Sequence, residues 1–361
     1  MALAPTVPEQ DAAPPPPLDK KKTLILGAVG LVIIVLIFVK VIPQIGSYQD
    51  ALTALQNMTP AALVTIVLAV LLYLAVYGLP FVAAVPGLSY WHSFQLNQAA
   101  FAISNGVPAG GAFGLGIQYA MLASYEVTPT ASTAAIGAVG VWSMFVTLLL
   151  PILGVIAIAA SGQAAGSYVY IGVIGLVVLV VMIVVFALIM RSEPLARRLG
   201  RITNKVAGPL LRRLRKGREF DAVPAIVKFR TDIVGLVRRR WSGITAAQLG
   251  VSLTQFLIFF AALRGVESSG PTTAIGVAFG AFAVAQIGLM IPLPPGGLGT
   301  VDATMIALLT SMGVSAGNAT AADLVWRAAS FVPQIIIGVL ALVTWSKRAA
   351  HTLAAKNPTA A

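Results

Sequence analysis

Four charged side chains stand within or beside long apolar stretches of this sequence: Glu126, Asp302, Asp323 and Arg327. Asp323 and Arg327 are four residues apart, acid first, the favourable order for an ion pair on one helix face. Ser330 and Gln334 continue the same stripe one and two turns further on. Ionisable groups inside a membrane are costly, and they line pathways or pair with one another. Two readings follow: a polar stripe lining a cavity, in which the Arg327 guanidinium holds a phosphate through two parallel hydrogen bonds, or a self-neutralised pair that joins helices. Asp302 falls in the first turn after a glycine-rich break, where a helix N-terminus partly compensates a carboxylate. With Arg327 it could clasp a zwitterionic or cationic phospholipid head, the acid on an amine and the arginine on phosphate, or it could bind a proton. Glu126 reads as interfacial.

The elements that position these groups announce themselves by their breaks. Ile291-Pro-Leu-Pro-Pro-Gly-Gly-Leu-Gly-Thr-Val-Asp302 holds three prolines and three glycines in its first nine positions, which forbids a continuous helix. In a bilayer, backbone freed in this way must face protein or water. Asn105-Gly-Val-Pro-Ala-Gly-Gly-Ala-Phe-Gly-Leu-Gly116 matches it at an offset of 186 residues, Pro108 to Pro294 and Gly110-Gly111 to Gly296-Gly297. Each copy is followed by a long apolar segment with a tryptophan, Trp142 or Trp326. The arms flanking the first break, 94–107 and 112–125, span roughly 21 Å each, too little for a hydrocarbon core of about 30 Å. They read as a re-entrant hairpin, and 272–314 as a second. Paired Gly/Pro-broken segments in two halves are the sequence pointer to a transporter's midplane site. The candidate binding residues are therefore Arg327, Asp302, Asp323, Gln334, Pro294, Gly296 and Gly297, with Asn105, Pro108, Gly110 and Gly111 from the first copy.

Composition supports a polytopic all-α membrane protein: 58% of the residues are hydrophobic and only 10% charged. Full spans are expected at 23–39, 61–82, 133–160, 169–190, 244–263 and 319–345, six in all beside the two hairpins, arranged as an inverted repeat. The net charge of +12 does not indicate nucleic acid, because fifteen of the 24 Lys and Arg lie between Arg191 and Arg240. That block reads as a cytoplasmic loop under the positive-inside bias, its amphipathic segments 195–214 and 222–237 lying along anionic inner-leaflet lipids. The organisation is then a tail at 1–22, a first membrane half at 23–190 with hairpin 94–125, the basic loop at 191–241, a second half at 242–346 with hairpin 272–314, and a tail at 347–361. Both termini are expected in the cytoplasm. Homo-oligomerisation is left open.

Enzymatic and cofactor chemistry finds no foothold. Zero cysteines and two histidines, His92 and His351, leave no thiolate or histidine metal set. The glycine clusters are neither a Walker motif nor a dinucleotide fingerprint, and no HExxH, Ser/His/Asp or paired-carboxylate pattern occurs. We expect a non-enzyme without cofactor.

Pro294-Pro-Gly-Gly-Leu-Gly-Thr-Val-Asp302, followed by Arg327, Pro333 and Gly338, resembles the transmembrane region of lysylphosphatidylglycerol synthetases, and the likeness covers nearly the whole chain after residue 20. That family usually carries glutamate where this chain has Asp302. Its synthetases add a soluble aminoacyltransferase domain, whereas this chain ends sixteen residues after Trp345. The resemblance therefore implies lipid translocation rather than synthesis: a flippase or scramblase of a bacterial inner membrane, moving a phospholipid or other lipid-linked substrate. The alternative is a non-transporting scaffold whose basic loop recruits a cytoplasmic enzyme of lipid or polysaccharide synthesis.

Overall fold

A computed structural model of the chain describes Gln49, Thr53 and residues 56–106, 110–162, 166–214, 221–267, 272–290 and 295–356. Among these residues every regular element is helical, as the composition requires. The expected span at 23–39, most of both tails, and Pro108 and Pro294 lie outside the described residues.

Among the described residues five helices are long and apolar enough to cross a membrane. Helix α1 (Pro60–Tyr77) starts where Thr59 accepts a hydrogen bond from the Ala62 N–H and Pro60 supplies a preset φ, and it runs on through α2 (Leu79–Ala84). The second is α5 (Pro129–Ala160), opened by the same Thr-Pro device at Thr128. Helices α6 (Gly166–Arg191), α8 (Ala222–Val266) and α11 (Ala316–Lys356) supply the other three. Leu63, Val64, Val67, Leu68 and Leu71 of α1, and Val177, Val180, Val181 and Val184 of α6, are all exposed. So continuous an apolar surface suits hydrocarbon and not water.

Helix α8 departs from the sequence expectation. Segments 222–237 and 244–263 were separate elements there, one surface-lying and one spanning, but they form a single 45-residue helix. Arg238-Arg239-Arg240 between them are good helix formers and no proline intervenes, so charge marks a change of solvent without ending the helix. Its start is fixed by Asp221, which accepts from the Val223 N–H at 2.9 Å and from Asn204 Nδ2 of α7 (Glu193–Leu214) at 2.7 Å. Those two bonds, the Asn204 bond foremost, hold the Asp221 carboxyl below its usual range.

The remaining helices are shorter. Helices α3 (Tyr90–Gly106) and α4 (Gly110–Ser124) pack on each other, and at 17 and 15 residues they reach only about 26 and 22 Å. The first begins four residues before the expected arm. In the second half α9 (Ile275–Ala285) runs into a 3₁₀ turn (Gln286–Met290), and α10 (Thr300–Ser311) returns beside it.

Two hydrophobic cores hold these pieces. One joins α1, α8, α9, α10 and α11 around Tyr73, Phe259, Phe282 and Trp326. The other joins α2 to α5 with the first part of α8 around Phe81, Leu96, Met121, Trp142 and Ile244. The two tryptophans noted in the sequence thus each anchor one core, and Trp142 also donates its indole N–H to Thr245 Oγ1 at 2.7 Å.

Candidate functional site

The second glycine-rich stretch folds as a backbone cradle. Gly296, Gly297 and Gly299 take φ of 66°, 65° and 86°, the left-handed region that side chains resist. This conformation turns the Gly296 and Gly297 carbonyls toward α11, where Arg327 NH1 and NH2 donate to them at 3.1 and 3.2 Å. Arg327 Nε donates to Asp302 Oδ1, and Asp302 Oδ2 accepts the Gly299 N–H at the start of α10. The Thr300 hydroxyl donates to the Gly288 carbonyl at 3.1 Å, tying the 3₁₀ turn to the same corner. The guanidinium lies 4.5 Å from the Trp326 ring centroid and 5.1 Å from that of Phe331.

This corrects the pairing read from the sequence. Arg327 bridges to Asp302 on another element, not to Asp323 one turn back on its own helix. The reason is donor geometry: the α10 corner offers a carboxylate and two free carbonyls to three N–H groups at once, while Asp323 offers one carboxylate. Asp323 is 1% exposed and its oxygens accept from no donor among the described residues, while Asp302 and Arg327 both act on it electrostatically. Asp302 itself is 0% exposed, with one oxygen on the Arg327 Nε–H and the other on the Gly299 N–H. Both oxygens are engaged inside the protein, which leaves the expected clasp of Asp302 on a lipid amine without an exposed carboxylate.

The remaining stripe also turns to other partners. The Ser330 hydroxyl donates to the Trp326 carbonyl at 2.6 Å, and Gln334 Oε1 accepts from the Tyr73 hydroxyl at 3.0 Å. Gly338 lies so close to α3 that a Cβ there would collide with the Gln98 carbonyl.

The two glycine-rich stretches meet. A Cβ on Gly296 would lie 2.8 Å from Asn105 Oδ1 and 2.9 Å from the Phe331 ring, so the last turn of α3 adjoins the cradle. Gly110 and Gly111 do a different job, opening α4 with helical backbone, and Gly110 packs so tightly that a Cβ would strike the Ile103 carbonyl.

Asn105, Gly296 and Arg327 border a cavity of about 350 Å³. Most of the rest of its polar wall was not foreseen: Ser143 and Thr147 from α5, Gln248, Ser252 and Gln255 from α8, and Gln286 from the 3₁₀ turn. The signal was available, since polar residues recur at i, i+4 and i+7 within an apolar span at 248, 252 and 255, and at i, i+4 at 143 and 147. Asp323, Gln334, Gly110 and Gly111 do not line it. Ser143 is exposed and Thr147 and Gln255 half-buried, so the cavity opens between α5 and α8. Among the described residues no three His, Cys, Asp or Glu gather as a metal set.

Comparison with known proteins gives one assignment. A family model described as the lysylphosphatidylglycerol synthase TM region matches residues 25–338. No curated protein matches the chain.

Proposed function

The chain belongs to the lysylphosphatidylglycerol synthase TM family and is a multi-pass membrane protein, and on that premise we propose that it moves a lipid-linked head group between leaflets. The observation that carries this reading is the polar cavity bounded by Asn105, Gly296 and Arg327, set among membrane-length helices and open between α5 and α8. Head groups would cross there while acyl chains stay in lipid. An arginine guanidinium has five N–H donors. Three of them hold the cradle, leaving two for an oxygen of the passing head group.

In this reading 23–39 is a sixth span, α3–α4 and α9–α10 are re-entrant hairpins, and the halves form an inverted repeat with both termini and the 191–241 loop in the cytoplasm. Basic side chains of α7 would rest on anionic inner-leaflet lipids. The protein performs no covalent chemistry. The cysteine-free sequence suits a labelling test: cysteines at Gly111 and at Pro295 should react with a small impermeant reagent from opposite sides. Labelling of both from one side rejects the inverted arrangement.

The functional test is Arg327→Lys in vesicles holding the purified full chain. An ammonium keeps the charge but cannot reproduce a planar fork, so lipid exchange should fall roughly tenfold or more, about 1.4 kcal/mol. Exchange by Arg327→Lys at the wild-type rate would remove the guanidinium from the reading, and wild-type exchange no faster than that of protein-free vesicles would favour the scaffold alternative.

A further inference from the structure

The cavity also carries information about which head group it receives, provided that it is the transport site. Its only charged liner among the described residues is Arg327, whose charge Asp302 already balances. No carboxylate lines it, so a lipid amine finds no counter-ion. What it does present is neutral and both donates and accepts. The side chains of Ser143, Ser252, Gln255 and Gln286 make no hydrogen bond among the described residues, although Gln286 is only 3% exposed. Asn105 and Gln248 each spend one amide N–H on the Phe101 or Val139 carbonyl, both at 3.0 Å, and their oxygens accept from no donor among the described residues. Polar groups that line a cavity without a protein partner, Gln286 the most buried of them, call for a ligand, or water standing in for one. Hydroxyl groups match it, because each donates one hydrogen bond and accepts others, as primary amides do. The rings of Tyr77, Phe101 and Phe331 also line the cavity, apolar surface for a carbon skeleton.

We propose that the cavity selects a polyhydroxylated, amine-free head group, and that its substrate is a sugar-bearing lipid. Gln255, Ser252 and Gln286 would read the hydroxyls, with Arg327 contributing its two remaining donors.

The test gives the purified full chain in nanodiscs equal amounts of a glucosyl diacylglycerol and phosphatidylethanolamine, and scores bound lipid by native mass spectrometry. The glucolipid should be retained in preference. Gln255→Leu and Ser252→Ala, which sit on the intact α8, should each weaken its retention roughly two- to tenfold, the range for one neutral hydrogen bond. Equal or preferential retention of phosphatidylethanolamine overturns the proposal, as does glucolipid retention indifferent to both substitutions. Leaflet exchange of the same lipids, followed by periodate for the sugar and an amine-reactive probe for ethanolamine, separates the two levels. A glucolipid that is bound but never exchanged sinks the transport reading and leaves the selectivity standing. Exchange of ethanolamine lipid alone does the reverse.

Discussion

The two glycine-rich stretches share a proline and a Gly-Gly pair in register, yet they use their glycines for opposite purposes. At 296–299 glycine is needed for its backbone: three left-handed residues turn carbonyls onto Arg327 and deliver Asp302 to the same guanidinium. At 110–114 glycine is needed for its missing side chain. Gly110 and Gly114 lie in ordinary helix, and there a Cβ would meet the Ile103 carbonyl or the Ser104 hydroxyl. Gly116 stands where the second stretch has Asp302, so the first has no carboxylate with which to organise an ion pair. Equivalent sequence positions thus supply a scaffold on one side and an electrostatic cradle on the other.

The largest effect should come from the side that has no counterpart. Removing one partner of a buried charge pair leaves the other uncompensated, at about 3–5 kcal/mol. Asp302→Ala and Arg327→Ala should each lower the unfolding midpoint in detergent sharply, and the double variant should lose well less than the sum. Additive losses would show that the pair is not coupled. Asn105→Ala, on the other side, should lose no more than about 1 kcal/mol.

Next come the matched glycines. Gly110→Ala and Gly296→Ala should both destabilise, by about 1–3 kcal/mol, but for different reasons. At Gly296 part of the penalty is contact with Asn105 Oδ1, so an Asn105→Ala background should recover that part and leave the contact with the Phe331 ring and the left-handed strain of about 1–2 kcal/mol. At Gly110 the obstacle is a backbone carbonyl, and no side-chain trimming should help. Rescue of both, or of neither, would erase the distinction. The smallest change should be Gly111→Ala. Nothing lies within 4 Å of a Cβ there, and in helical backbone alanine is favoured by up to about 1 kcal/mol. A slight rise in midpoint is expected, and a clear fall would mean that Gly111 also needs its small size.

Much of this was legible in the sequence, for identifiable reasons. The long spans are apolar enough for composition alone to place them, and the Thr-Pro starts at 59–60 and 128–129 fix two beginnings. The break at 291–302 was legible because three prolines and three glycines crowd nine positions, whereas single prolines do not suffice: Pro151 and Pro333 lie inside α5 and α11. The partner of Arg327 was not legible. An i,i+4 rule sees only neighbours on one helix, whereas the side chain reached a carboxylate and two carbonyls on another element. Helix α8 was divided because charge was read as a boundary, although arginine continues a helix readily. The cavity wall on α5 and α8 was passed over because Ser, Thr and Gln do not register as charges. Their helical spacing carried the signal instead.

Exchange of lipid between leaflets by the full chain, with and without a plug in the cavity, tests the transport reading most directly. Ser252 lines the cavity and is half-buried on the uninterrupted α8, so Ser252→Phe should fill the space while the unfolding midpoint stays near that of the wild type. We expect wild-type vesicles to equilibrate a sugar-bearing lipid well ahead of protein-free vesicles, and Ser252→Phe vesicles to match the protein-free rate. Wild-type exchange no faster than that of empty vesicles, or undiminished exchange by a folded Ser252→Phe protein, would contradict passage through this site.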